Sequence, residues 1–78
     1  MEHDCVVRAH AHIAPRACLA GGVDIGSETH IGLGAVILEN LRVGARCVVG
    51  GGAVVIRDLP DDSMVAGVPA RPIAKTKT

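Results

Sequence analysis

An aliphatic residue recurs at every sixth position for nine consecutive units: Val7, Ile13, Leu19, Ile25, Ile31, Ile37, Val43, Val49 and Val55. A six-residue period is a multiple of the two-residue alternation of a strand and does not fit the roughly 3.6-residue stripe of a helix. The next residue is Gly or Ala in six of the nine units (Ala14, Ala20, Gly26, Gly32, Gly44, Gly50), with Arg8, Leu38 and Ile56 as the exceptions. Four positions after each aliphatic residue the side chain is again small or apolar: Ala11, Ala17, Val23, Thr29, Ala35, Leu41, Cys47, Ala53 and Leu59. Ten glycines would each cost a helix about 1 kcal/mol, so the units read as short strands joined by turns.

Stacking the chain at eighteen residues, three units per coil, gives clean columns. Val7/Ile25/Val43, Ile13/Ile31/Val49 and Leu19/Ile37/Val55 form three interior ladders, with Ala17/Ala35/Ala53 as a small column and Val23/Leu41/Leu59 as a bulky one. The hydrophobic fraction is 49% without one Phe, Tyr or Trp, which suits a narrow, repetitive core. The same stacking predicts an Asp24/Arg42 charge pair, a His10/Glu28/Arg46 column and a His12/His30 contact. Parallel strands at about 4.8 Å spacing make 7–59 a rod of roughly three coils, about 14 Å tall. The repeat stops at Pro60-Asp61-Asp62-Ser63, and Pro69 and Pro72 suit an extended tail across the last coil. The expected organisation is therefore an all-β solenoid over 1–59 and a capping tail over 60–78. Residues 1–6 are too few to cap the other end.

A 78-residue chain hides only about 60% of the surface its unfolded form exposes, so it needs disulfides, a metal or partner copies for stability. Three cysteines, Cys5, Cys18 and Cys47, form no CxxC pair, and the charged Met1-Glu2-His3-Asp4 start is no signal peptide. A cytoplasmic location and oligomerisation are the expectations. The eight basic and eight acidic residues are interspersed, and no aromatic ring is available for base stacking, so nucleic acid is a poor partner. No apolar run approaches the length of a membrane span.

Glu2-His3-Asp4-Cys5, Leu19-Ala20-Gly21-Gly22-Val23, Ile31-Gly32-Leu33-Gly34-Ala35 and Val65-Ala66-Gly67-Val68-Pro69-Ala70-Arg71 give the chain a resemblance to the hexapeptide-repeat acyltransferases. Within them it is most similar to bacterial sialic-acid O-acetyltransferases and to N-acetyltransferases of nucleotide-linked 4-amino sugars. The resemblance implies a left-handed parallel β-helix, a homotrimer, and acetyl-coenzyme A as acyl donor to an amine or hydroxyl of a sugar or sugar-nucleotide acceptor. It implies no metal. Those relatives carry an amino-terminal sugar-nucleotide domain before the histidine pair, so the acceptor does not transfer by analogy.

Acyl transfer from a thioester needs a base for the acceptor's proton and donors for the oxyanion. His3 is the candidate base, because an imidazole titrating near pH 6.5 can accept a proton at neutrality; Asp4 would orient the ring, as the matching pair does in the relatives. Gly21 lies one coil beyond His3 on the same corner and offers a backbone N–H close to which a thioester can approach. By the resemblance, His12 and the backbones near Leu33 and Gly51 contact acetyl-coenzyme A, and Arg71 is a candidate for a coenzyme phosphate. His30 reads as a surface corner residue. Cys5 and Cys47 sit at small inward positions and Cys18 flanks a corner, so the cysteines read as core fillers.

Two other readings compete. A carbonic-anhydrase-like metal lyase would use the four histidines, but no His-x4-His pair is present, and His10-Ala11-His12 is a weak metal signal. A non-catalytic trimeric β-helix would keep the fold without the acceptor domain.

Overall fold

The computed structural model describes residues 5–73. Nine two-residue strands follow one another at six-residue intervals: β1 Val6–Val7, β2 His12–Ile13, β3 Cys18–Leu19, β4 Asp24–Ile25, β5 His30–Ile31, β6 Val36–Ile37, β7 Arg42–Val43, β8 Val48–Val49 and β9 Val54–Val55. They stack as three parallel sheets, the walls of a triangular prism: β1-β4-β7, β2-β5-β8 and β3-β6-β9. Registers such as Ile13↔Ile31 and Ile37↔Val55 confirm the eighteen-residue coil. The chain is all-β and makes about three turns of a parallel solenoid.

In each strand the second residue points inward. Leu19, Ile25, Ile31, Ile37, Val43, Val49 and Val55 are buried, joined by Val23, Ala35, Cys47, Ala53 and Val65. Val7 and Ile13 pack on this cluster but are only partly buried, since among the described residues their coil has a neighbour on one side alone. Thr29 is the buried polar residue of the interior. Its Oγ1 donates to Gly44 O at 2.6 Å and accepts from Cys47 N at 3.1 Å, so it joins two coils without an unpaired group.

The corners obey a rule that the hydrophobic period does not reveal. The third residue after each of the first eight aliphatic positions has a positive φ: His10, Arg16, Gly22, Glu28, Gly34, Asn40, Arg46 and Gly52 lie between 55° and 76°. That conformation costs a non-glycine residue about 1–2 kcal/mol. It also aims the residue's N–H along the stack, where it bonds the preceding coil, as in Glu28 N to Ala9 O, Asn40 N to Gly21 O and Arg46 N to Ser27 O at 2.8–3.1 Å. Close stacking constrains the residue just after the aliphatic one as well. A Cβ on Gly32 would sit 2.6 Å from Gly51 N.

The ninth corner breaks the period. Leu59 bridges Val43, sixteen residues back, and does not stack over Leu41 as its spacing suggests. The chain then adds β10 (Met64–Ala66) to β8 in parallel, with Val65 opposite Val49, and β11 (Arg71–Pro72) to β10 in antiparallel fashion. This hairpin extends and covers one wall at the carboxyl end. Asp58 and Asp61 carboxylates accept hydrogen bonds from Arg42 N and Ala45 N, filling in where the shortened corner supplies no carbonyl.

Ion pairing also departs from the column reading. Asp24 binds Arg8 through two hydrogen bonds at 2.9 and 2.8 Å, with Arg42 acting only through its charge, and Arg46 binds Asp62 rather than Glu28. Of the cysteines, Cys47 is buried and Cys5 packs on the core, but Cys18 is exposed on the outer face of β3, so it fills no core space.

Candidate functional site

The first residue of each strand points outward and gives every wall its own chemistry. The β1-β4-β7 wall shows Val6, Asp24 and Arg42. The β2-β5-β8 wall shows His12, His30 and Val48. The β3-β6-β9 wall shows Cys18, Val36 and Val54, flanked by Leu38 and Ile56, which are 41% and 43% exposed. This third wall is apolar on its outer face, with Val36 and Val54 half-buried, and at its carboxyl edge Val54 exchanges hydrogen bonds with Gly67 and Ala70.

The corner between the second and third walls gathers three of the expected coenzyme contacts. His12 enters it from β2; one coil on stands Leu33, 59% exposed, and one further stands Gly51. Leu33 O accepts Gly52 N at 2.8 Å, and a Cβ on Gly51 would lie 3.3 Å from Leu33 O, so these two backbones are in contact. Among the described residues the N–H groups of Leu33 and Gly51 bond no other backbone group. A backbone N–H without an internal partner can donate to a carbonyl or amide group of an extended ligand. Gly34 and Gly52, beside them, have no atom within 4 Å of a would-be Cβ, which leaves the corner unobstructed.

Gly21 is not part of that edge. It lies on the corner between the third and first walls, across the width of the apolar wall. Its N–H likewise bonds no other backbone group among the described residues, and its O accepts Asn40 N at 2.9 Å. The Asn40 carboxamide packs over Gly22, in space a side chain there would occupy, a neighbour the repeat analysis did not single out. His3 and Asp4 fall outside the described residues. The fold thus unites His12, Leu33 and Gly51 and separates them from Gly21 within one chain.

Arg71 stands on β11, at the far end of the sheet that begins with β2. With Leu59, Met64, Val65, Pro69 and Ile73 it lines a cavity of about 560 Å³ at the carboxyl end of the prism, which neither His12 nor Gly21 reaches. Four strand spacings of about 4.8 Å put it roughly 19 Å along the wall from His12. His30 is placed more tellingly than a surface corner residue. It is in register with His12, and the two rings lie 4.6 Å apart with planes inclined by 35°. Eighteen-residue spacing was the signal for that contact.

Charge perturbation is concentrated on the first wall, away from these residues. The Asp24 carboxyl is held below the usual carboxylate range, chiefly by its hydrogen bonds from Arg8, and the Arg8 guanidinium is correspondingly raised. Among the described residues no group of three or more His, Cys, Asp or Glu is placed to hold a metal ion, and no helix is long and apolar enough to cross a membrane.

No protein-family model and no curated protein matches the sequence. Solved structures do. The acetyltransferase domain of PglB from Neisseria gonorrhoeae, in complex with acetyl coenzyme A, is 44% identical, with a TM-score of 0.92 over 94% of this chain and 36% of that one. Perosamine N-acetyltransferase from Caulobacter crescentus, in complex with CoA and GDP-perosamine, is 42% identical, with a TM-score of 0.90 over 91% of this chain and 34% of that one. Serine acetyltransferase from Brucella abortus, in complex with coenzyme A, is 33% identical, with a TM-score of 0.91 over 97% and 34%. The chain therefore spans 34% to 36% of the length of these neighbours. They are left-handed β-helices, and a close superposition cannot match a coil with its mirror image; the solenoid is left-handed.

Proposed function

For a chain whose fold and sequence resemble the hexapeptide-repeat acyltransferases over nearly its whole length, we propose acyl-coenzyme A-dependent transfer, of acetyl in the first instance, to an amine or hydroxyl of a sugar-like acceptor. The observation that carries the reading is the corner of Leu33 and Gly51 beside His12, unobstructed at Gly34 and Gly52 and with two backbone N–H groups that bond no other backbone group among the described residues, in a fold whose solved neighbours hold coenzyme A or acetyl coenzyme A. GDP-perosamine in one neighbour supports a sugar-nucleotide acceptor.

Gly21 belongs to the opposite edge of the apolar wall, so one chain does not form the full site. A homotrimer resolves this: the apolar wall is buried against a second copy, and the Gly21 corner of one subunit meets the His12 corner of the next. His3 is the base of this reading. The acceptor nitrogen or oxygen attacks the thioester carbonyl, its proton passes to the His3 imidazole, and Asp4 holds the resulting imidazolium. The Gly21 N–H donates to the oxyanion. Collapse breaks the C–S bond, and the proton returns from His3 to the departing thiolate. Arg71 meets a coenzyme phosphate at the far end of the wall. Three free cysteines support a reducing, cytoplasmic setting.

The test is thiol release from acetyl-coenzyme A in the presence of a panel of amino sugars, free and nucleotide-linked. With an active acceptor, His3→Ala lowers turnover about 100- to 10,000-fold while coenzyme binding persists. Turnover at the parent rate removes the mechanism and leaves the fold. Coenzyme binding keeps the enzyme reading, and no binding at millimolar coenzyme favours the non-catalytic β-helix.

A further inference from the structure

We infer that His30 is a positioning residue for His12, holding its imidazole by cross-strand stacking in the orientation that the coenzyme meets. The inference rests on the reading that His12 faces the coenzyme, but the observations behind it concern the pair itself. His12 is exposed and its side chain makes no hydrogen bond among the described residues. Its strand, β2, is the terminal described strand of its sheet, with β5 as its sole described neighbour. Among the described residues the ring contact of His12 is with β5, where the in-register residue is His30 at a ring separation of 4.6 Å.

His30 is supported in turn. β5 lies between β2 and β8, and the residue in register with His30 on the other side is Val48, 40% exposed. The outer face of this wall thus runs Val48, His30 and His12 in register, with the two rings in contact. Offset or tilted ring pairs at this separation are attractive, and the contact needs the face of the second ring, not its nitrogens. That distinction separates positioning from direct ligand contact. Phe at position 30 keeps the stack, whereas Ala abolishes it.

The experiment is a double-mutant cycle read by calorimetry with acetyl-coenzyme A. His30→Ala is expected to weaken binding about 2- to 10-fold, the range of an aromatic pair, and His30→Phe to stay within about twofold of the parent. His12→Ala weakens binding, and adding His30→Ala to it weakens binding no further. Parent-like binding by His30→Ala, or a double variant that loses the product of the two single effects, overturns the inference. A second measurement needs no coenzyme: proton NMR of the His12 ring, which shows one side-chain rotamer in the parent and in His30→Phe and averaged rotamers in His30→Ala. A fixed His12 ring in a protein that binds no coenzyme removes the proposed function and keeps the pair. An averaged ring in the parent removes the pair.

Discussion

At the scale of single residues, two glycines two positions apart do different things. Gly32 lies where adjacent coils touch, and an added Cβ would press on Gly51 N, Gly50 C and Val49 O, all backbone atoms with no rotamer to change. Gly34 has open space around it, and its φ of +69° is its one constraint. Gly34→Ala should cost about 1 kcal/mol, the ordinary penalty of that conformation, which His10, Arg16, Glu28 and Arg46 already bear. Gly32→Ala should cost more, about 1–3 kcal/mol, because the coils must separate locally. Chemical denaturation of both variants decides the order. A Gly34→Ala protein less stable than Gly32→Ala would show that corner conformation, and not coil contact, limits the stack.

At the scale of elements, the shortened ninth corner is held by two carboxylates. Asp58 and Asp61 accept Arg42 N and Ala45 N at 2.8 and 2.9 Å, at an exposed end where each such bond contributes about 0.5–1 kcal/mol. Replacing both with Ala should lower stability by about 1–2 kcal/mol and speed hydrogen exchange at the Arg42 and Ala45 amides, leaving Ile31 and Ile37 protected. Unchanged exchange at those two amides would mean that the last coil is held by the hairpin alone. The nine strands were legible in the sequence because one inward aliphatic residue per six leaves little register freedom. The slip at Leu59 was not, since leucine satisfies the interior whether it stacks on Leu41 or on Val43. The columns placed Asp24 and Arg42 in register but did not show the direct ion pair, since a column fixes which Cα atoms align, whereas the long Arg8 side chain reaches Asp24 from two register positions along. The residues proposed to meet the coenzyme were named through motifs, and the separation of Gly21 from His12, Leu33 and Gly51 follows from counting, since positions 12 and 21 lie on opposite sides of β3 in an eighteen-residue coil. The His12/His30 spacing was also visible, but what the contact does depends on both rings being exposed and otherwise unpartnered, which spacing does not show.

At the scale of the whole molecule, the third wall presents an apolar strip of exposed Cys18, Leu38 and Ile56 around half-buried Val36 and Val54. The proposed homotrimer would bury that wall, and would account for its composition and for Gly21 and His12 lying on its two sides. Sedimentation at micromolar concentration should give three chains per particle, and Val36→Lys should shift it toward smaller, less stable species. A folded monomer would leave the site divided. The central claim, that this solenoid takes an acyl-coenzyme A at the His12 corner, is tested most directly by calorimetric titration with acetyl-coenzyme A. The account predicts saturable binding with one coenzyme per chain, weakened by His12→Ala. No binding at millimolar coenzyme would contradict it.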